Sequence, residues 1–210
     1  MPIDVSLYLV ADAEFAAGRD LLGLIGEAVR GGATAVQLRA KNLSSRDFLE
    51  LGLRAADALA RTGVPLLVND RLDIALACGA AGVHLGQEDM PVPQARKILG
   101  PDRIIGVSVH SPQEALRAER EGADYVGAGP AYATATKETA LSVLGPEGID
   151  RIKRAVRIPV VAIGGIGAAN AAALAAAGAD GIAVISALLG APDARRAAED
   201  LKKAFKRSLI

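Results

Sequence analysis

The sequence predicts an α/β fold, one (β/α)8 TIM barrel over residues 1–210, on three observations. Eight short apolar runs alternate with eight helix-like stretches, at roughly 26 residues per unit. Such alternation implies parallel strands joined by crossover helices. Gly-Ala-Asp/Thr recurs just before strands, at Gly32-Ala33-Thr34, Gly122-Ala123-Asp124 and Gly178-Ala179-Asp180. That is a repeated helix stop and strand start. Polar residues gather after the strands, whereas Gly, Ala, Thr and Pro dominate before them. An open doubly wound sheet is the alternative. No G-x-G-x-x-G follows the first apolar run, which weighs against its dinucleotide-binding version.

The elements follow in order. SLYLVA at 6–11 is a short buried strand, because its apolar residues are continuous and Asp12 ends them. Residues 19–30 carry a helical stripe of Leu21, Leu22, Ile25, Ala28 and Val29, stopped by Gly31-Gly32. The second strand, 34–39, turns polar at Gln37 and Arg39. Ser44 or Ser45 caps a helix over 46–61. A third strand at 65–68 ends in Asn69-Asp70, and a helix over 71–78 follows. The fourth strand, 82–85, leads into Gly86, Gln87 and Asp89, then a helix at 93–99. The fifth, 103–107, ends in Ser108 and His110. Ser111-Pro112 is an N-cap with proline in the first turn, and that helix runs to Gly122. The sixth strand, 124–127, breaks at Gly129-Pro130. A long loop over 131–145, a candidate lid, leads to a helix at 147–155. The seventh strand, 159–163, ends in Gly164-Gly165, and an Ala-rich helix covers 170–177. The eighth strand, 181–186, precedes a last helix from 192 to about 207.

Composition narrows the function. Lysine plus arginine and aspartate plus glutamate number 24 each, so the formal charge is zero. Neither nucleic acid nor an anionic membrane is expected as a partner. No apolar run approaches a membrane span, and Asp4 and Asp12 interrupt any early one, so a cytoplasmic protein is expected. Homo-oligomerisation stays open. The one cysteine, Cys78, sits in IALACGAAG and reads as a buried structural thiol.

In a barrel of this type, chemistry belongs at the C-terminal strand ends. The polar residues there include Gln37, Arg39, Lys41, Asn69, Asp70, Asp89, Ser108, Thr134, Thr136, Lys137 and Ser186. Asp70 and Asp89 end adjacent strands. As a pair they form a hard oxygen site suited to Mg²⁺; taken singly, each could cap the turn beside it. Arg39, Lys41 and Lys137 are cations able to neutralise a diphosphate leaving group, or to snorkel at the surface. Gly164-Gly165-Ile166-Gly167 and Ile185-Ser186 occupy the loops that hold phosphate in such barrels; a ligand-free tight turn is the alternative. His84, within a strand, reads as a packed or hydrogen-bonded residue. His110 suits either substrate contact or a cap.

The series YLVAD, QLRAK, NDR, GVHLGQED, IGVSVH, GADYVGAGPAYATATK, IPVVAIGGI and GADGIAVIS runs from Tyr8 to Ser186 and resembles thiamine phosphate synthase. The resemblance implies small-molecule substrates: a pyrimidinylmethyl diphosphate and a thiazole phosphate, joined to give thiamine phosphate and diphosphate. It implies that Gln37, Leu38, Arg39, Ala40, Lys41, Asn69, Ser108 and Lys137 hold the first. It implies that Thr134, Ala135, Thr136, Gly165, Ile185 and Ser186 hold the second, and that Asp70 and Asp89 ligate Mg²⁺. Lys137, Ser108 and Arg39 are the expected catalytic residues. Ala11 and Ala133 stand where the family commonly has Thr and Pro. A thiazole tautomerase of the same superfamily, or a non-catalytic phosphate sensor, is the alternative.

Overall fold

The computed structural model describes residues 3–134 and 142–206. Eight parallel strands close into a barrel in the order β1-β2-β3-β4-β5-β6-β7-β8, with β8 pairing back onto β1. They are β1 (Leu7–Asp12), β2 (Ala35–Arg39), β3 (Leu66–Asn69), β4 (Gly82–Leu85), β5 (Ile104–Val109), β6 (Tyr125–Ala128), β7 (Val160–Ile163) and β8 (Gly181–Val184). Between them run α1 (Leu21–Arg30), α2 (Ser45–Leu59), α3 (Leu72–Ala77), α4 (Val92–Leu99), α5 (Pro112–Glu121), α6 (Gly145–Ala155) and α7 (Ala171–Ala176). Two helices follow β8: a single turn, α8 (Ser186–Leu189), and the long α9 (Ala194–Lys206). The open-sheet alternative is therefore excluded.

Local chemistry sets the boundaries. Asp20, Ser44 and Ser111 each accept a hydrogen bond from the backbone N–H three residues on, capping α1, α2 and α5. Gly122 ends α5 in the left-handed region, at φ 95°, where a Cβ is disfavoured. The sequence placed Ser186 at the end of a strand. It instead opens α8, because the strand stops at Val184 and Ile185 has already left extended geometry.

Strands buried on both faces read as continuous apolar runs, and the two faces separate by parity. Leu7, Leu9, Val36, Leu38, Val68 and Ile105 pack against the helices. Tyr8, Val10, Ala35, Leu67, Tyr125, Val161 and Ala183 fill the barrel interior. Two of the three tyrosines thus sit inside the barrel, their rings 5.8 Å apart. Glycine makes the space. A Cβ on Gly106 would fall within the ring of Tyr125, and one on Gly127 would sit 3.0 Å from His84 Cε1. Overpacking a rigid core costs about 1–3 kcal/mol. Gly106→Ala is expected to lower the melting temperature by roughly 2–12 °C for a chain of this size. A thermal scan within about 1 °C of wild type would show that the ring is free to move.

The Gly-Ala-Asp/Thr repeats grip the preceding strand at the barrel's N-terminal rim. Thr34, Asp124 and Asp180 each donate their backbone N–H to the carbonyl of Leu7, Ile105 and Val160 respectively, at 2.8–2.9 Å. Each also accepts the N–H of that same residue on its side chain, at 3.1, 2.7 and 2.8 Å. Cys78 is buried, as its apolar setting implies, and burial pushes its thiol pKa up.

Candidate active site

The β2 end supplies alternating side chains. Gln37 points into the barrel, buried, with its Nε2 3.1 Å from Tyr8 Oη. Leu38 and Ala40 turn into the strand–helix core, away from the mouth. Arg39 is bonded to Asp12, with Glu14 3.6 Å away. Lys41 reaches across to Asp70, at 3.3 Å. Among the described residues, these two cations of the mouth are each already matched by a carboxylate.

Asp70 follows β3 directly. Its N–H donates to the His84 carbonyl at 2.9 Å, and its φ is +62°, a left-handed conformation uncommon outside glycine, asparagine and aspartate. It does not cap α3: the N-cap is Arg71, with no side-chain bond there. Burial first, and the neighbouring Asp89 carboxylate second, raise the Asp70 pKa above the ordinary value, while Lys41 pulls it down. Asp89 does serve its own turn, because its Oδ2 accepts from Gly86 N at 2.6 Å. Two carboxylates drawn together against their mutual repulsion are a donor set that fits a hard divalent cation. No cluster of three or more potential ligands occurs among the described residues, so other oxygens must complete such a site.

On the opposite side, a cavity of about 130 Å³ opens between the ends of β5–β8, lined by Ser108, Thr134, Gly164, Gly165, Ile185 and Ser186, among others. The loop after β6 continues alongside β7: Ala131 N bonds Ile163 O and Tyr132 N bonds Gly164 O, at 2.8 and 3.0 Å. Gly165, at φ 63°, lies against this loop; a Cβ there would strike the Ala133 carbonyl. Gly164 and Gly165 are both required by this close backbone approach, since a Cβ on Gly164 would sit 3.0 Å from Pro130. His110 braces the same loop, its Nδ1 donating to Gly129 O at 2.6 Å, and its backbone N–H bonds Glu114. Ala135, Thr136 and Lys137 belong to the 135–141 stretch of the loop, which lies outside the described residues.

Beneath the mouth runs a line of buried polar groups. Tyr8 Oη lies 2.8 Å from Tyr125 Oη, which lies 2.8 Å from His84 Nδ1. His84 Nε2 in turn lies 3.0 Å from Ser108 Oγ. His84, within β4, is therefore hydrogen-bonded, as expected, to side chains of β6 and β5. The two tyrosines were not expected as part of the site. Strand parity was the signal that could have found them, because Tyr8, Gln37, His84, Ser108 and Tyr125 all face inward.

The TMP-TENI family model, described as thiamine monophosphate synthase, matches residues 7–188. The chain is 48% identical over 201 residues to the thiamine-phosphate synthase of Desulfitobacterium hafniense, covering 96% of this chain and 97% of that one. It is 50% identical over 200 residues to the Chloroflexus aurantiacus enzyme of the same name, covering 95% and 92%. The structure of thiamine phosphate pyrophosphorylase from Pyrococcus furiosus superposes with a TM-score of 0.89 at 43% identity, covering 99% of this chain and 98% of that one. With an eight-stranded barrel beneath it and these relatives along nearly its whole length, the chain belongs to the thiamine monophosphate synthase family.

Proposed function

We propose that this protein joins a 4-amino-2-methylpyrimidin-5-ylmethyl diphosphate to a thiazole phosphate, releasing diphosphate and forming thiamine phosphate. The carrying observation is the pairing, at one barrel mouth, of the Asp70–Asp89 carboxylates with a glycine-walled cavity after β7 and β8. The first suits a metal-bound diphosphate. The second suits a phosphate held by backbone N–H groups near Gly165 and by the Ser186 hydroxyl at the first turn of α8.

The reaction breaks the bond between the methylene carbon and the diphosphate oxygen, and the electron pair leaves with diphosphate. The thiazole nitrogen lone pair then forms the new C–N bond. Charge develops on the departing oxygens and on the pyrimidine, so catalysis falls to positioning and electrostatics. Asp70 and Asp89 are the residues that would hold Mg²⁺. Bound there, the ion would supply neutralising charge to the diphosphate. Ser108 and Lys137 supply donors to the leaving group. Arg39, Lys41 and Asn69 orient it from the β2 and β3 ends, and Gln37 addresses the pyrimidine ring. Thr134, Ala135, Thr136 and Ile185 complete the thiazole subsite.

The test is diphosphate release by the purified protein. Release is expected only when both substrates and Mg²⁺ are present, with thiamine phosphate as co-product. Release without the thiazole phosphate, or none at all despite thiazole phosphate binding, would overturn the proposal.

A further inference from the structure

The buried line from Gln37 to Ser108 crosses the barrel from β2 to β5. Its ends are two residues assigned opposite tasks in the proposed reaction, on which the inference rests. Tyr8 and Tyr125 are 1% and 0% exposed, and burial pushes the Tyr8 phenol up to about 12 and Tyr125 well above its usual value. Both phenols therefore keep their one proton. A neutral imidazole also carries one N–H and one acceptor nitrogen. Each link then holds one proton, and the protons must all point the same way. Two facing protons, or a link with none, would leave a buried polar group unmatched.

Along this line, two arrangements put one proton on every link and leave neither phenol proton unmatched. In one, Gln37 donates to Tyr8, Tyr8 to Tyr125, Tyr125 to His84 Nδ1, and His84 Nε2–H to Ser108. Gln37 then offers its carbonyl oxygen to the substrate, and Ser108 is free to donate its hydroxyl proton. In the other, every bond reverses. Ser108 would meet the substrate with a lone pair, and Gln37 with N–H. A departing diphosphate needs a donor at Ser108. An acceptor at Gln37 would take a hydrogen bond from the pyrimidine amino group and favour its electron donation into the ring.

We propose that this line is a polarity lock running from Gln37 to Ser108, with Tyr8, Tyr125 and His84 as positioning residues that make one end an acceptor because the other is a donor. The space for it is built in, since Gly106 and Gly127 leave room for the Tyr125 and His84 rings.

The tautomer of His84 reads the polarity directly. The chain has two histidines, and His110 Nδ1 faces a carbonyl, which can only accept. His110 is thus an internal reference for protonated Nδ1, and a His110→Asn spectrum assigns the signals. In ¹⁵N spectra of the ligand-free protein, His84 is expected to carry its proton on Nε2 with Nδ1 unprotonated. A proton on Nδ1, or a doubly protonated ring, would overturn the proposal with no variant needed. Tyr125→Phe removes the central link. It is expected to shift the His84 Nδ1 signal and to lower kcat roughly tenfold with the thiazole phosphate KM unchanged. Either an unmoved His84 signal or turnover within about twofold of wild type would overturn the proposal. The spectra need no substrate. A protein that releases no diphosphate yet holds His84 as the Nε2–H tautomer would sink the synthase reading alone.

Discussion

Lys137→Ala is expected to lower turnover by roughly 10³-fold while the barrel melts at its normal temperature. The charge inventory of the mouth is the reason. Arg39 is matched by Asp12 and Glu14, and Lys41 by Asp70. These cations are already balanced by carboxylates, so they add little net positive charge for a departing diphosphate. Lys137 follows β6 in the sequence and is the third cation expected at the mouth. In the proposed reaction its ammonium would act as a point charge on the leaving oxygens, where loss of one preorganised donor typically costs two to three orders of magnitude. Steady-state kinetics with both substrates saturating, beside a thermal scan, measures this. Turnover within about threefold of wild type would remove Lys137 from the mechanism.

The second large effect concerns the carboxylate pair. Asp89→Asn keeps an oxygen able to accept from Gly86 N, so the turn survives. Asp70→Asn keeps a residue type that tolerates φ +62°. Both changes therefore remove charge with little change of shape. The Mg²⁺ concentration giving half-maximal rate is expected to rise by at least roughly 10- to 100-fold in either variant. A magnesium titration that overlays wild type would return both aspartates to a structural role.

Asp70→Asn should also reveal a cost of the site. An acid whose folded pKa is raised binds its proton more tightly when folded, so the ionised form destabilises the fold. That cost is present at neutral pH, above the folded pKa, and vanishes below the unfolded carboxylate pKa. Metal-free Asp70→Asn is thus expected to melt above wild type at pH 7 and level with it in acid. A lower melting temperature at pH 7 would contradict the sign.

The fold was legible because parallel strands buried on both faces announce themselves as apolar runs, and Gly31, Gly122 and Gly178 punctuate the helices between them. The mouth residues were legible for the same reason: they are the polar ends of those runs. Three things were not. SALL at 186–189 is one turn long, too short for helical periodicity, so Ser186 read as a strand end. Arg39 and Lys41 read as available cations, because pairing with Asp12 and Asp70 depends on strand neighbours far apart in sequence. Tyr8 and Tyr125 lie 117 residues apart, and only barrel closure brings their hydroxyls together.

The clamps at Thr34, Asp124 and Asp180 have a consequence for how this chain can change. Each ties a strand to its predecessor at the rim opposite the mouth, through two bonds that involve no residue of the site. Cohesion is stored at one end of the barrel and chemistry at the other. Loops at the mouth can therefore lengthen, shorten or exchange residues under selection while the rim keeps the strands in register, and a new specificity need not first be rescued by a compensating change in the core.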